Sequence, residues 1–243
     1  MSVWGKLAGA AAGLAIGGPI GALLGGLAGH YIDRQFSGGS QEQRAQRNQV
    51  AFTVGVIALG AKMAKADGVV SKDEVKAFKQ VFRVPEGEAD NVAHVFNLAK
   101  QDVAGYEAYA DQLAALFRED RQLLEDVLEG LLHIASADDE LHPAEDEFLG
   151  NVAHRFGFTE SEYRGIRSRF VEDDKRDPYQ ILQVPHDISD ADLKARYRKL
   201  VQENHPDRAI ARGLPAEFIK IATDRLAAIN EAYDEIRQER GLP

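Results

Sequence analysis

Apolar and polar positions follow three different rhythms along the chain. From residue 7 to residue 32 no side chain carries a fixed charge, a run of 26 residues. Across it, Gly5, Gly9, Gly13, Gly17, Gly21, Gly25 and Gly29 recur at a four-residue interval. From Val50 to about Glu172, apolar residues recur at spacings of three and four, as in Val54, Ile57, Ala58, Ala61 and in Leu123, Leu124, Val127, Leu131. That is the period of a helix face, and it predicts six or seven helices. From Asp177 onward a third set of helical faces alternates with short breaks. No alternating β-branched runs bounded by hairpin turns occur, so the chain is predicted to be all-α.

The first stretch, residues 1–36, is long enough to cross a hydrocarbon core of about 30 Å as a helix rising about 1.5 Å per residue. Glycine is a poor helix former in water, but in lipid it lets two backbones approach closely. A four-residue period exceeds 3.6, so the stripe predicts a right-handed pairing of two such helices, that is, a homodimer through this segment. Trp4 and Tyr31 flank the run where interfacial aromatics belong. Two other readings fit a Gly/Ala run: a secretory signal peptide and a flexible leader. The length of the run and the lack of a clear A-x-A site before Asp33 disfavour the signal peptide. Arg34, Arg44 and Arg47 follow the run while Lys6 precedes it, which places the C-terminal side in the cytoplasm. Residues 37–49 form a polar linker beginning Ser37-Gly38-Gly39-Ser40.

Composition narrows the choices. The chain has 243 residues, 44% of them hydrophobic, and no cysteine. A disulfide scaffold, thiolate-bound zinc and a thiol nucleophile are thereby excluded. The net charge is −10, and nearly all the excess lies between Val50 and Glu172, with 13 Lys/Arg against 23 Asp/Glu. A surface this acidic repels phosphate backbones, so nucleic acid is not expected as a partner.

The middle stretch, residues 50–172, contains a repeat. Ala64-Lys65-Ala66-Asp67 with Ser71 and Glu74 corresponds to Ala135-Ser136-Ala137-Asp138 with His142 and Glu145, every pair offset by 71 residues. Each copy reads as a helix end, an acidic turn and the start of an acidic helix. These residues resemble the TerB-like fold, a compact helical domain. The resemblance implies divalent-metal binding through the acidic turns, with Asp67, Glu74, Asp138 and Glu145 as hard oxygen donors suited to Ca²⁺ or Mg²⁺. A plainer use is open to the same residues. Ser71 and Glu74 have the spacing of a capping box, and Pro143 stands where a first helical residue tolerates proline. No other cofactor is expected.

A charged linker, residues 173–176, leads to the last stretch, residues 177–243. Ser189 is placed to cap a helix with Leu193, Tyr197, Leu200 and Val201 on one face and Lys194, Arg196, Arg198 and Lys199 on much of the remainder. His205-Pro206-Asp207 then interrupts it, because Pro206 cannot continue a helix. A further helix from about Pro215 to Arg240 is predicted to turn Phe218, Ile221, Leu226, Ile229 and Tyr233 toward the first. An enzymatic reading would make His205 and Asp207 an acid/base pair, but no nucleophile lies nearby, so no catalytic residue is predicted.

This succession is similar to a J domain: Asp177-Pro178-Tyr179-x-Ile181-Leu182 upstream, Tyr197-Arg198-Lys199-Leu200 before the tripeptide, and Ile229-Asn230-Glu231-Ala232-Tyr233 after it. The resemblance implies a partner, a DnaK-type chaperone. The basic second helix would dock on its acidic groove, while His205, Pro206 and Asp207 trigger its ATPase. Tyr197 and Arg208 belong to the same docking face, Arg208 standing where J domains usually place Lys. The whole order, with a Gly-rich membrane segment, a TerB-like middle and a terminal J domain, resembles the DjlA (DjiA) family of bacterial inner-membrane co-chaperones. A single-pass anchor with the bulk of the chain in the cytoplasm follows from that likeness. The linker is far shorter than the long Gln/Gly-rich stretch of that family, which argues against a freely swinging J domain. The alternative function is a membrane-associated stress-response adaptor whose acidic domain binds metal or a protein. It would depend on Asp67 and Asp138 rather than on His205 and Asp207.

Overall fold

The computed structural model describes residues 17–28, 41–66, 89–101, 105–137, 141–170, 177–211 and 216–242. Their regular structure is helical, with no strand among the described residues. In order, the helices are α1 (Gly18–Ala28), α2 (Gln41–Ala66), α3 (Ala89–Gln101), α4 (Tyr106–Leu116), α5 (Arg121–Ala135), α6 (Pro143–Arg155) and α7 (Glu160–Arg167). The last stretch adds α8 (Pro178–Ile181), α9 (Asp190–Glu203), α10 (Pro206–Ala211) and α11 (Ala216–Arg240).

Helix α2 is the axis of a larger lobe. Every residue from Val50 to Ala64 is buried, as expected of a helix that is apolar on all sides. Helices α1, α3, α4, α5 and α6 pack around it. Gly55 permits the close approach of α4, since a Cβ there would stand 2.5 Å from Cδ2 of Leu113. The helix starts are set locally. Asp120 Oδ1 accepts from Leu123 N–H at 3.3 Å at the start of α5. Thr159 and Glu162 exchange bonds through their side chains and backbone amides at the start of α7.

Helix α1 is the part of the N-terminal apolar run that lies among the described residues. Its 11 residues cover about 16 Å. Among the described residues no helix is long and apolar enough to cross a membrane. Ile20 and Leu23 are buried in the core of the larger lobe, and α1 packs against α2, α3 and α4. The Gln112 side chain fastens it, donating to Gly17 O and accepting from Ile20 N–H at 2.9 Å. The rest of the apolar run, with Trp4, Gly5, Gly9, Gly13, Gly29 and Tyr31, lies outside the described residues.

The smaller lobe is built on α8, α9 and α11, around Tyr179, Ile181, Leu182, Leu193, Leu200, Ile229, Ala232 and Ile236. One expectation needs correcting. Phe218 and Ile221 do not face α9; with Ala222 they lie in the core of the larger lobe. The Phe218 ring meets Phe52 edge to face, centroids 4.6 Å apart. The reason is length. Helix α11 has 25 residues, about 37 Å, too long for the small lobe to cover alone.

Candidate functional site

The small lobe is assembled by local rules before it presents any chemistry. Asp177 Oδ1 accepts from Tyr179 N–H at 3.0 Å, with Pro178 at the first helical position of α8. That helix closes through Gln183, which has φ +55. Val184 N–H donates to Tyr179 O and Gln183 N–H to Gln180 O, the Schellman pattern with Gln where Gly is usual. Ser189 caps α9, its Oγ accepting from Asp192 N–H at 3.2 Å. The Tyr197 and Tyr233 rings stack at 3.9 Å, and Tyr197 OH donates to Asn230 Oδ1 at 3.0 Å. Arg240 closes the lobe from the far end of α11, donating to Ile188 O, His186 O and Asp190 Oδ1.

On this base α9 ends at Glu203, and buried Asn204 donates to Leu200 O at 2.7 Å. The tripeptide is not an irregular loop. Pro206 opens α10, where its missing N–H costs nothing. His205 Nδ1 accepts from Asp207 N–H at 3.3 Å and serves as the cap. Asp207 Oδ2 stands 3.4 Å from the same ring nitrogen. The side chains of His205 and Asp207 are 52% and 82% exposed, so a partner can reach both at once.

Of the predicted docking cations, Lys194, Arg198, Lys199 and Arg208 are exposed. Arg196 is not solvent-facing as expected. It is half-buried and donates to Leu182 O at 3.1 Å and to Gln183 Oε1, tying α9 to the end of α8. Tyr197 is likewise half-buried in the lobe core. Of the acidic-turn candidates, Asp67, Glu74 and Asp138 lie outside the described residues. Glu145 is buried, and its Oε2 accepts from His142 N–H at 3.3 Å, the capping use of that position. Among the described residues no three His, Asp or Glu side chains converge on a cation-sized site.

One feature of the charge distribution escaped the sequence reading. Arg169 and Arg225 meet Glu125, Asp126 and Glu129 of α5 in a sealed cluster. Arg169 Nη1 lies 2.9 Å from Glu125 Oε1 and also bonds Glu129. Arg225 bonds Asp126 and stands 3.3 Å from Glu129 Oε2. The side chains of both arginines, Asp126 and Glu129 are at most 3% exposed. A signal existed: Glu125, Asp126 and Glu129 interrupt the most apolar stretch of α5 at its buried spacing.

Similarity to known proteins follows the same order along the chain. The family model of the co-chaperone DjlA transmembrane domain matches residues 1–49. That of the tellurite resistance protein TerB matches residues 53–168, and that of the DnaJ domain matches residues 177–240. The co-chaperone protein DjlA of Vibrio parahaemolyticus is 31% identical over 284 residues, with 100% of both chains covered. Those of Vibrio vulnificus and Shewanella oneidensis are 30% and 29% identical, again over 100% of each chain. No solved structure matches. Identity over full length, with the three domains in the same order, shows that the chain belongs to the DjlA family of co-chaperones, a DnaJ-domain family and not one of enzymes.

Proposed function

We propose that this protein is anchored in the bacterial inner membrane by its N-terminal run and stimulates ATP hydrolysis by a DnaK-type chaperone in the cytoplasm. The observation that carries the reading is the tip of the small lobe. His205 and Asp207 are exposed together at the start of α10, while the helices behind them are locked by Tyr197, Asn204 and Arg240. A trigger of this kind works by position. Exposed cations on α9 attract an acidic groove, and the Asp207 carboxylate competes for an arginine of the ATPase domain. The protein supplies no reacting group; it shifts the chaperone toward the state that hydrolyses ATP and closes on its client.

The test uses membrane vesicles carrying the full chain, washed with alkali to strip peripheral proteins, with a DnaK-type chaperone added. The wild-type chain should stay in the vesicles and raise turnover. His205→Gln should stay in the vesicles and return turnover to the basal rate. Its fold should be intact, because loss of the His205 cap at one short surface helix costs about 1 kcal/mol. Full stimulation by a folded His205→Gln chain would refute the trigger, and loss of the wild-type chain in the wash would refute the anchor.

A further inference from the structure

The short helix that carries the tip turns an alanine inward and an isoleucine outward. Ala209 is 3% exposed and packs in the core of the larger lobe with Phe218, Ile221 and Ala222, and α10 lies against α11. The next residue, Ile210, is 55% exposed and is the one large hydrophobic side chain left in solvent among the described residues. It stands outside both hydrophobic cores. Single exposed apolar residues are ordinary on protein surfaces, but the place of this one is not. Residues three and four apart share a helix face, with Cβ atoms about 5–6 Å from one another. Asp207, Ile210 and Ala211 therefore stand together, and all three are exposed.

A carboxylate beside an apolar patch narrows what can cover the face. A hydrocarbon surface would have to take in Asp207, whose side chain is 82% exposed, and burying an unpaired carboxylate is costly. A second copy docked about a twofold axis would bring Asp207 against Asp207, like charges at close range. A partner that offers an apolar patch beside a cation satisfies both groups.

We infer that Ile210 is an apolar contact of the chaperone interface: it seats on a hydrophobic patch of a DnaK-type chaperone, beside the arginine that Asp207 engages. The inference rests on the chaperone reading above and adds a contact of a different physical kind. The exposed cations of α9 act at a distance, on encounter, and fade with salt. Burial of an isoleucine acts only once the surfaces touch, so it sets how long the complex lasts. Because Ile210 shares a helix with His205 and Asp207, it holds the trigger itself in place rather than the docking helix.

The experiment separates this contact from the chaperone reading. Full-length chains in lipid nanodiscs are mixed with a DnaK-type chaperone, and association, dissociation and stimulated turnover are measured across a salt series. Ile210→Gln keeps the length of the side chain and removes its apolar character; Ile210→Leu keeps that character. Ile210→Gln should dissociate about tenfold faster, the effect of uncovering roughly half an isoleucine side chain, with its association rate and salt slope unchanged. Its stimulation should fall at subsaturating chaperone and return to the wild-type maximum at saturation, since His205 and Asp207 are intact. Ile210→Leu should match the wild type throughout. If Ile210→Gln does not fold, Ile210→Ala, which favours a helix, decides in its place. Equal dissociation rates in wild type and Ile210→Gln, with His205→Gln still abolishing stimulation, would overturn the contact and leave the chaperone reading standing. A loss confined to the association rate would overturn it too. If Ile210→Gln instead breaks up a dimer or frees the lobes from lipid, with chaperone binding unchanged, the face belongs to that other surface and the inference falls. If the wild-type chain neither binds nor stimulates, both readings fall.

Discussion

Glu129 shows how far a single residue can be moved by its setting. Two guanidinium groups face three carboxylates in the sealed cluster, so one proton on a carboxylate leaves it neutral. Burial raises the Glu129 carboxyl to about 7, with Glu125 and Asp126 adding to the rise and Arg225 and Arg169 opposing it. Glu125, nearer the rim, ends up lowered: burial would raise it, but Arg169 and Arg225 overcome that. Between pH 4.5 and about 7 the folded chain keeps a proton on Glu129 that the unfolded chain has released. Folding takes up a proton there, so this group's contribution to stability falls as pH rises across that window and levels off above it. Glu129→Gln cannot ionise and should remove the slope, leaving the chain more stable than wild type at pH 8 by up to a few kcal/mol. Urea titrations at pH 5, 6, 7 and 8 measure this, and a slope that survives in Glu129→Gln would assign the proton to another group.

At the scale of the element, α9 divides its cations between two tasks. Lys194, Arg198 and Lys199 stand in solvent, whereas Arg196 is spent on holding the end of α8. Exposed charges act across a Debye length of about 8 Å at physiological salt, mainly on the rate of encounter. Arg198→Glu with Lys199→Glu should slow association with a DnaK-type chaperone about tenfold at low salt and weaken its salt dependence. Asp207→Asn should associate at nearly the wild-type rate and fail in single-turnover hydrolysis. Stopped-flow and single-turnover measurements across a salt series separate the two, and an equal loss of association rate in both would dissolve the distinction between docking helix and trigger. Much of this element was legible in its spacing: Leu193 and Leu200 are buried, Tyr197 and Val201 half-buried, and Ser189 is the cap. The inward turn of Arg196 was not, because it depends on Gln183 adopting φ +55 thirteen residues upstream.

For the molecule as a whole, the shared helix predicts shared stability. Phe218, Ile221 and Ala222 leave the large-lobe core only if α11 leaves with them, and the Phe52–Phe218 pair adds about 0.5–1.5 kcal/mol beyond its buried area. Calorimetry on the full chain should show the two lobes melting in one transition. In Gly165→Leu the small lobe should separate as an earlier, smaller transition, since a side chain on α7 there meets Gln180 O at 2.7 Å and Gln183 Cγ at 3.0 Å, both in the small lobe. Two transitions in the wild-type chain would mean that the junction does not couple them.

The amino-acid sequence by itself determined the helical class, the repeat in the middle of the chain and the His205-Pro206-Asp207 tip, because each rests on local chemistry. Apolar spacing selects a helix, a capping side chain starts one, and proline bars its continuation while favouring a new first turn. Tertiary structure decided where α1 is buried, which lobe claims Phe218 and Ile221, and which cations of α9 remain free. Those outcomes turn on close approaches at Gly55, Gly130 and Gly165 and on a charge cluster joining residues 40 to 100 positions apart. No periodicity encodes such contacts. They exist only once separate helices, each satisfied within itself, compete for the same buried surface.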